Sequence, residues 1–286
     1  MKRIGRLKVK KIRQNVYHYV LLIFFFLIFI SPIVLMILSS FKEDEIQIIK
    51  DMSSIQAFLP NGPMGFENYV NVFQRMNFFK FFTNSVIITV STIVVGICFN
   101  SMFAYALAKL EFKAKHILLP AMIALIIVPG ETLSIPLLLL VNKMGLIDTY
   151  AVQIIPFVAE PFFIFLFYQF FKELPKEIME AAIIDGSSYF GIYRRIILPL
   201  SKPVFASVII FNALGRWGDI MWPVLVTRGE DVRPLPLAMQ ALFTINRNNW
   251  GDIFAFATMA TLPILLLFLL FQKQFIRSIA STGVKG

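Results

Sequence analysis

Residues able to do chemistry are scarce in the apolar stretches of this chain. Glu131 follows Pro129-Gly130, Glu160 precedes Pro161, and Arg216, Trp217 and Asp219 lie close together. An ionised side chain inside a bilayer costs about 2.5–3.5 kcal/mol on insertion scales, so it seldom faces lipid. Two such glutamates could carry a proton or a cation. Arg216 and Asp219, at i and i+3, could pair. All five residues could line a solute path or hold a gate. They could equally do no more than satisfy one another, or backbone freed by the prolines. His18 and His116 are far apart and read as interfacial side chains, so no metal site is expected. The single cysteine, Cys98, cannot form an internal disulfide. No Ser/His/Asp arrangement, metal cluster or pair of carboxylates stands out, and no catalytic residue is assigned. No G-x-x-x-x-G-K-[ST] phosphate loop occurs, so this chain is expected to bind neither nucleotide nor other cofactor itself.

Composition says what kind of scaffold holds these residues. The 286 residues are 58% hydrophobic and 15% charged, with 31 phenylalanines. A soluble domain normally carries about 25% charged residues, so the chain reads as an all-α integral membrane protein. A bilayer core needs about 20 apolar helical residues. Six spans are expected, at about 19–38, 81–108, 117–142, 149–171, 203–227 and 253–272. Pro129-Gly130 should break the third, and the fifth carries Arg216 and Asp219. The basic leader "MKRIGRLKVKKIR" precedes an apolar run too long for a signal peptide's core and lacking a small-residue cleavage site, so an uncleaved first helix is expected.

Basic residues set orientation. The N-terminus, the segment after span two, the segment after span four and the tail together hold 18 of the 27 lysines and arginines. The positive-inside rule places both termini and residues 172–202 in the cytoplasm of a multi-pass plasma-membrane protein. The net charge of +10 then reflects topology and anionic lipid, with no nucleic-acid partner. External segments fall at about 42–80, 143–148 and 228–251. The expected organisation is a basic N-terminus over 1–16, a six-helix domain over 17–286, and a tail over 273–286.

Residues 172–202 contain "EAAIIDGSSYFGIYRRIILPL", a polar insert between two spans. Pro175 suits a helix start, and Glu177 suits the first turn. Ala181 and Ala182 favour helix and permit close approach. Asp185-Gly186 should end that helix, since glycine tolerates φ > 0. Ser187 or Ser188 can cap a second helix, with Tyr189, Ile192, Tyr193 and Ile196 as an apolar stripe. Arg194 and Arg195 suit its C-terminal end. Pro199 and Pro203 mark the passage into span five. The geometry leaves two partners open: lipid beneath an amphipathic hairpin, or a cytoplasmic protein.

Glu180-Ala181-Ala182, Gly186 six residues after Glu180, and then Ile196 and Leu198-Pro199 resemble the "EAA" loop of ABC importer permeases. Asp185 matches the "EAAxxDG" variant of sugar importers; Tyr193 stands where those relatives usually carry phenylalanine. "SPIVLMILSSFK", "FENYVNVF", "NSVIITVSTIVVGICFNSMFAYALAKLEFKAK" and the ending "QFIRSIASTGVKG" extend the resemblance over about residues 17–286. It is nearest to the smaller permease subunit of maltose-type transporters.

The resemblance implies a type I ABC importer permease fold, with 172–202 as a coupling loop seated in an ATPase cleft. Glu180 would make polar contacts in that cleft, and Ala181 and Ala182 would allow close approach. Asp185 and Gly186 would form the turn. Tyr193, Ile196, Leu198 and Pro199 would pack the second helix and the base of span five. The implied partners are a homologous second permease, two ATPase subunits holding ATP and magnesium, and an extracellular or periplasmic solute-binding protein that touches the loop from Thr227 to Trp250. Glu131, Glu160, Arg216, Trp217 and Asp219 would be candidates for the sugar path. Two further readings compete: an ion- or proton-coupled secondary transporter using Glu131 and Glu160, and a membrane scaffold that transports nothing.

Overall fold

The computed structural model describes residues 2–245 and 249–283, with side chains described over 15–244 and 249–272. The last three residues of the "STGVKG" ending, and the side chains of the basic leader and of the tail, lie outside what is described. Regular structure is helical throughout the described residues, apart from one isolated antiparallel bridge between Lys42 and Met64.

The helices are α1 (Lys2–Phe41), α2 (Glu45–Asp51), α3 (Glu67–Arg75), α4 (Phe78–Lys109), α5 (Lys115–Ile127), α6 (Ser134–Lys143), α7 (Tyr150–Ile154), α8 (Pro161–Glu173) and α9 (Lys176–Ile184). They continue with α10 (Tyr189–Ile192), a π turn (Tyr193–Ile197), α11 (Leu198–Leu200), α12 (Lys202–Trp217), α13 (Met221–Val226), α14 (Leu235–Ile245) and α15 (Trp250–Gly283). Three helical stretches are long and apolar enough to cross a bilayer unbroken: Asn15–Phe41, Phe78–Lys109 and Trp250–Gln272. Three more qualify only as bent pairs, which brings the count to six if each pair is one span.

The bent pairs locate where proline and glycine act. The third span breaks by 99° between Ile127 and Gly130, where Pro129 has extended backbone and Gly130 opens a short 3-10 turn. The fourth bends by 41° before Pro161, which occupies the first position of α8, where its missing N–H costs nothing. The fifth corrects the expectation of one span over 203–227. α12 ends at Trp217, and α13 is a separate short helix. Asp219 accepts the Trp222 N–H at 3.3 Å and so caps this new start. Arg216 and Trp217 therefore stand in the last turn of α12, at the end of the fifth bent pair (Tyr189–Leu200 with Lys202–Trp217, bent by 79°), and Asp219 lies just beyond it.

The chain divides into two compact units. The first comprises residues 1–77 and 241–260. Lys42 and Asp51, both essentially buried, pair at 2.5 Å, and Lys42 also donates to the Gln56 carbonyl. Asn68 donates to the carbonyls of Ser40 and Lys42 at 3.0 and 2.7 Å. Glu45 accepts the N–H groups of Trp250 and Gly251, both at 2.8 Å, supplying a distant cap for α15. Arg75 pairs with Asp252 in the first turn of that helix at 2.7 Å. The apolar window of α1 has no residue buried inside the chain, which leaves its phenylalanines to lipid or to another protein.

The second unit comprises residues 78–240 and 261–286. Its core joins α4, α8 and α12 through Ala104, Leu107, Phe167, Phe171, Val204 and Val208. Asn84 on α4 donates to the carbonyls of Asp231 and Arg233, and Gln153 donates to the Val232 carbonyl. Ser85 accepts the Leu235 N–H at 2.7 Å. Residues 231–235 are thus pinned to α4 and α7. The segment expected as an external loop over 228–251 contains α14, whose Leu235, Ala238 and Leu242 are buried at helical spacing.

Candidate functional site: a two-helix loop seated on the second span

The insert forms two helices with a tight turn. α9 begins after Pro175 and ends in a Schellman motif. The Gly186 N–H reaches the Ile183 carbonyl and the Ser187 N–H reaches the Ala182 carbonyl, both at 2.9 Å. Gly186 sits at φ +79°, a left-handed conformation that excludes most side chains without strain. Ser188, not Ser187, caps the second helix: its Oγ accepts the Gly191 N–H at 3.1 Å. That helix runs to Leu200, so Arg194 and Arg195 lie in its middle, not at its end.

The middle of the second helix is a π turn over Tyr193–Ile197. A π turn inserts an extra residue and rotates the helix beyond it. Ile192, Tyr193 and Ile197 are buried, Ile196 is half-buried, and Tyr189 is more than half exposed. The expected stripe loses Tyr189, which precedes the π turn, and gains Ile197, the last residue within it.

Three side chains of α4 bolt the loop down, and their spacing of four puts them on one face. Ser101 Oγ and Tyr193 Oη share a buried hydrogen bond at 2.7 Å. Tyr105 Oη donates to the Tyr189 carbonyl at 3.1 Å. Lys109 Nζ donates to the Leu174 carbonyl at 2.7 Å. The first of these reaches the π turn, the second the start of the second helix, and the third the residue before Pro175. Sequence reading missed all three. The signal was a serine, a tyrosine and a lysine recurring every fourth residue at the end of an apolar run.

The loop therefore has an inner and an outer side. Met179, Ala182, Ile192, Tyr193 and Ile197 join the core of α4 and α8, with Ile196 and Leu198 packed against it. Glu180, Ala181, Asp185, Gly186 and Pro199 are exposed. Beside them Ile184 is 85% and Phe190 59% exposed, an apolar tip on a segment that is otherwise well anchored.

Of the candidate path residues, the structure assembles Glu160, Arg216 and Asp219. Arg216 pairs with Asp219 at 3.1 Å and lies 3.8 Å from the Phe157 ring centroid. Glu160 interacts electrostatically with Arg216, and its backbone N–H donates to Asn100 Oδ1 at 3.0 Å. Trp217 packs edge-on against Phe82 at 5.9 Å. Glu131 is exposed on its 3-10 turn and shares no hydrogen bond or ion pair with the others among the described residues. Asn100 and Asn212, unrecognised in the sequence, are buried beside Gly96; Asn100 Nδ2 and Asn212 Oδ1 lack partners. Among the described residues, no group of three His, Cys, Asp or Glu side chains is placed to hold a metal ion.

This architecture, with broken spans and a two-helix loop, is the type I fold of ABC importer permeases. It matches, at a TM-score of 0.79, a chain in the crystal structure of a bacterial ABC transporter involved in the import of the acidic polysaccharide alginate. That match has 22% sequence identity and covers 91% of this chain and 95% of the other. The chain belongs to the family of binding-protein-dependent transport system inner membrane components, whose profile matches residues 96–281. It is 34% identical to the arabinooligosaccharides transport system permease protein AraQ of Bacillus subtilis, covering 95% of this chain and 97% of that protein. The melibiose/raffinose/stachyose import permease protein MelC of the same organism is 34% identical over 78% of this chain and 82% of its own length. The trehalose/maltose transport system permease protein MalG of Thermococcus litoralis is 29% identical over 91% and 93%.

Proposed function

We propose that this chain is one permease half of a binding-protein-dependent importer for an oligosaccharide, with residues 172–202 as the cytoplasmic seat of an ATPase. One observation carries the coupling assignment. The loop is fixed to α4 at three points on its inner side, while Glu180, Ala181, Ile184 and Phe190 stand outward on the other. A rigid element with an exposed apolar tip can transmit force; a loop lying free on lipid cannot. Membership of a permease family and relatives named for oligosaccharides support the substrate class.

In this reading Glu180 makes polar contacts in the ATPase cleft, and Asp185-Gly186 shapes the turn that enters it. ATP and magnesium bind on the partner ATPase subunits, and this chain has no catalytic residue of its own. A second, homologous permease completes the path, and a solute-binding protein delivers the sugar from outside near residues 227–250. Arg216, Asp219 and Glu160, with Trp217 beside them, form a polar cluster suited to a gate or to sugar hydroxyls. The excess of lysine and arginine on the loop side supports cytoplasmic termini. Proton coupling through Glu131 and Glu160 gains no support, since the two share no contact.

The test is co-purification and uptake. Wild-type chain should bring down its ATPase, and uptake should stop on ATP depletion but survive an uncoupler. Gly186→Asp should lose both ATPase association and uptake. Intact uptake in that variant would end the coupling-loop assignment.

A further inference from the structure

A groove of about 780 Å³ opens beside the coupling loop, between the last turn of α4, the start of α5, the end of α8 and α9. Four lysines line it, Lys109, Lys115, Lys172 and Lys176, against two glutamates, Glu111 and Glu180. The charges are not equally engaged. Lys109 is spent on the Leu174 carbonyl. Lys115 donates to the Leu110 carbonyl at 3.3 Å and pairs with Glu111 at 3.5 Å. Lys172 lies 6.0 Å over the Tyr168 ring. Neither Lys172 nor Lys176 forms an ion pair with a carboxylate among the described residues. With four lysines against two glutamates the groove carries a surplus of positive charge, and Lys172 and Lys176 are its cations held in no such ion pair. Its wall also includes Leu110, Phe112 and Met179, apolar side chains that a free anion would not need.

We propose that this groove binds the headgroup of an anionic phospholipid, with Lys172 and Lys176 holding the phosphate and the apolar wall taking the glycerol and upper acyl chain. The position favours lipid: the groove lies where α4 and α8 leave their apolar runs, the depth at which headgroups sit. Basic pockets at the cytoplasmic ends of spans recognise such lipids by charge. Because α9 forms one wall, an occupied groove would brace the coupling loop from the membrane side. The proposal rests on the cytoplasmic orientation of the loop. Its test reads lipid retention, so a failure there leaves ATPase association, measured separately, to judge the coupling assignment.

The assembled complex, permeases with ATPases, is delipidated in detergent. It is then offered phosphatidylglycerol or phosphatidylcholine of the same acyl composition and weighed by native mass spectrometry. Phosphatidylglycerol should be retained preferentially. Each lysine neutralised, Lys172→Gln or Lys176→Gln, should reduce that preference roughly fivefold, while Lys172→Arg/Lys176→Arg keeps it. The single variants decide the question if the double glutamine variant fails to assemble. Equal retention of the two lipids would overturn the proposal, as would a preference that survives both glutamine substitutions. Displacement of the lipid by inorganic phosphate at matched concentration would also overturn it, by making the site one for free phosphate.

Discussion

Within this chain the cost of substitution at Gly186 is conformational. A Cβ there would meet nothing within 4 Å, yet φ is +79°. Gly186→Ala should therefore cost about 1–2 kcal/mol of loop stability and weaken ATPase co-purification without abolishing it. Tyr193→Phe should be mild, at about 1 kcal/mol or less. Ser101 Oγ keeps its bond to the Ile97 carbonyl when the phenol is removed, so no buried group is orphaned. Uptake by this variant should stay close to wild type. Asp51 gives a pH signature. The Lys42 ammonium, donating to Asp51 Oδ2, holds this carboxyl below its ordinary value of 3.8. The stabilisation is complete above 3.8 and is lost as pH falls through the lower folded value. Acid unfolding of Asp51→Asn should lack this component. Glu45 acts with the opposite sign. Burial raises its pKa despite two backbone N–H bonds, so its contribution falls as pH rises from 4.5 through the folded value.

Single bonds set the geometry of whole elements. Lys109→Met would leave the Leu174 carbonyl without its donor just before α9. ATPase activity in the assembled complex should then respond less to solute-loaded binding protein, while helix content is unchanged. Ser188→Ala removes the cap of the second helix at a cost of about 1 kcal/mol. Gly251 permits the close approach of Asn68, whose side chain would lie 2.5 Å from an added Cβ. Asn68 cannot move aside without dropping its bonds to Ser40 and Lys42. Gly251→Ala should accordingly lower the thermal midpoint by several degrees, at about 1–3 kcal/mol for overpacking. The breaks in the third and fourth spans are legible in the sequence, because proline and glycine mark them locally. The end of α12 at Trp217 is less so. Hydropathy continues through Met221–Val226, and only Gly218 and the capping Asp219 betray the stop.

In the proposed function the whole molecule is half of a conducting assembly, and such a half needs apolar surface left for a partner. α1 buries none of its apolar window within the chain. Orientation is testable directly. In a Cys98→Ser background, Ser187→Cys at the loop turn should react with a membrane-impermeant maleimide in inside-out vesicles and not in intact cells. Reaction in intact cells would reverse the proposed topology. The buried amides of Asn100 and Asn212 lie beside Gly96, with one polar atom of each unpartnered. They are invisible to sequence reading, because an isolated asparagine in an apolar run carries no spacing signal.

The class, the loop and the apolar runs of the spans could be read from the chain alone, though not where the fifth one stops. Each is written in short-range pattern: apolar run length, glycine and proline at breaks, and the spacing from Glu180 through Gly186 to Pro199. The chain also carries a helical signal in Leu235, Ala238 and Leu242, set in a stretch polar enough to read as a connector. Which side of the loop faces inward is settled by tertiary contacts. It depends on Ser101, Tyr105 and Lys109, some 65 to 92 positions from their partners. Packing likewise brings Glu160, Arg216 and Asp219 together without Glu131, and lets Glu45 cap a helix 205 residues away. Hydrogen bonds and ion pairs act over a few ångströms, and chain separation says little about which groups will come that close.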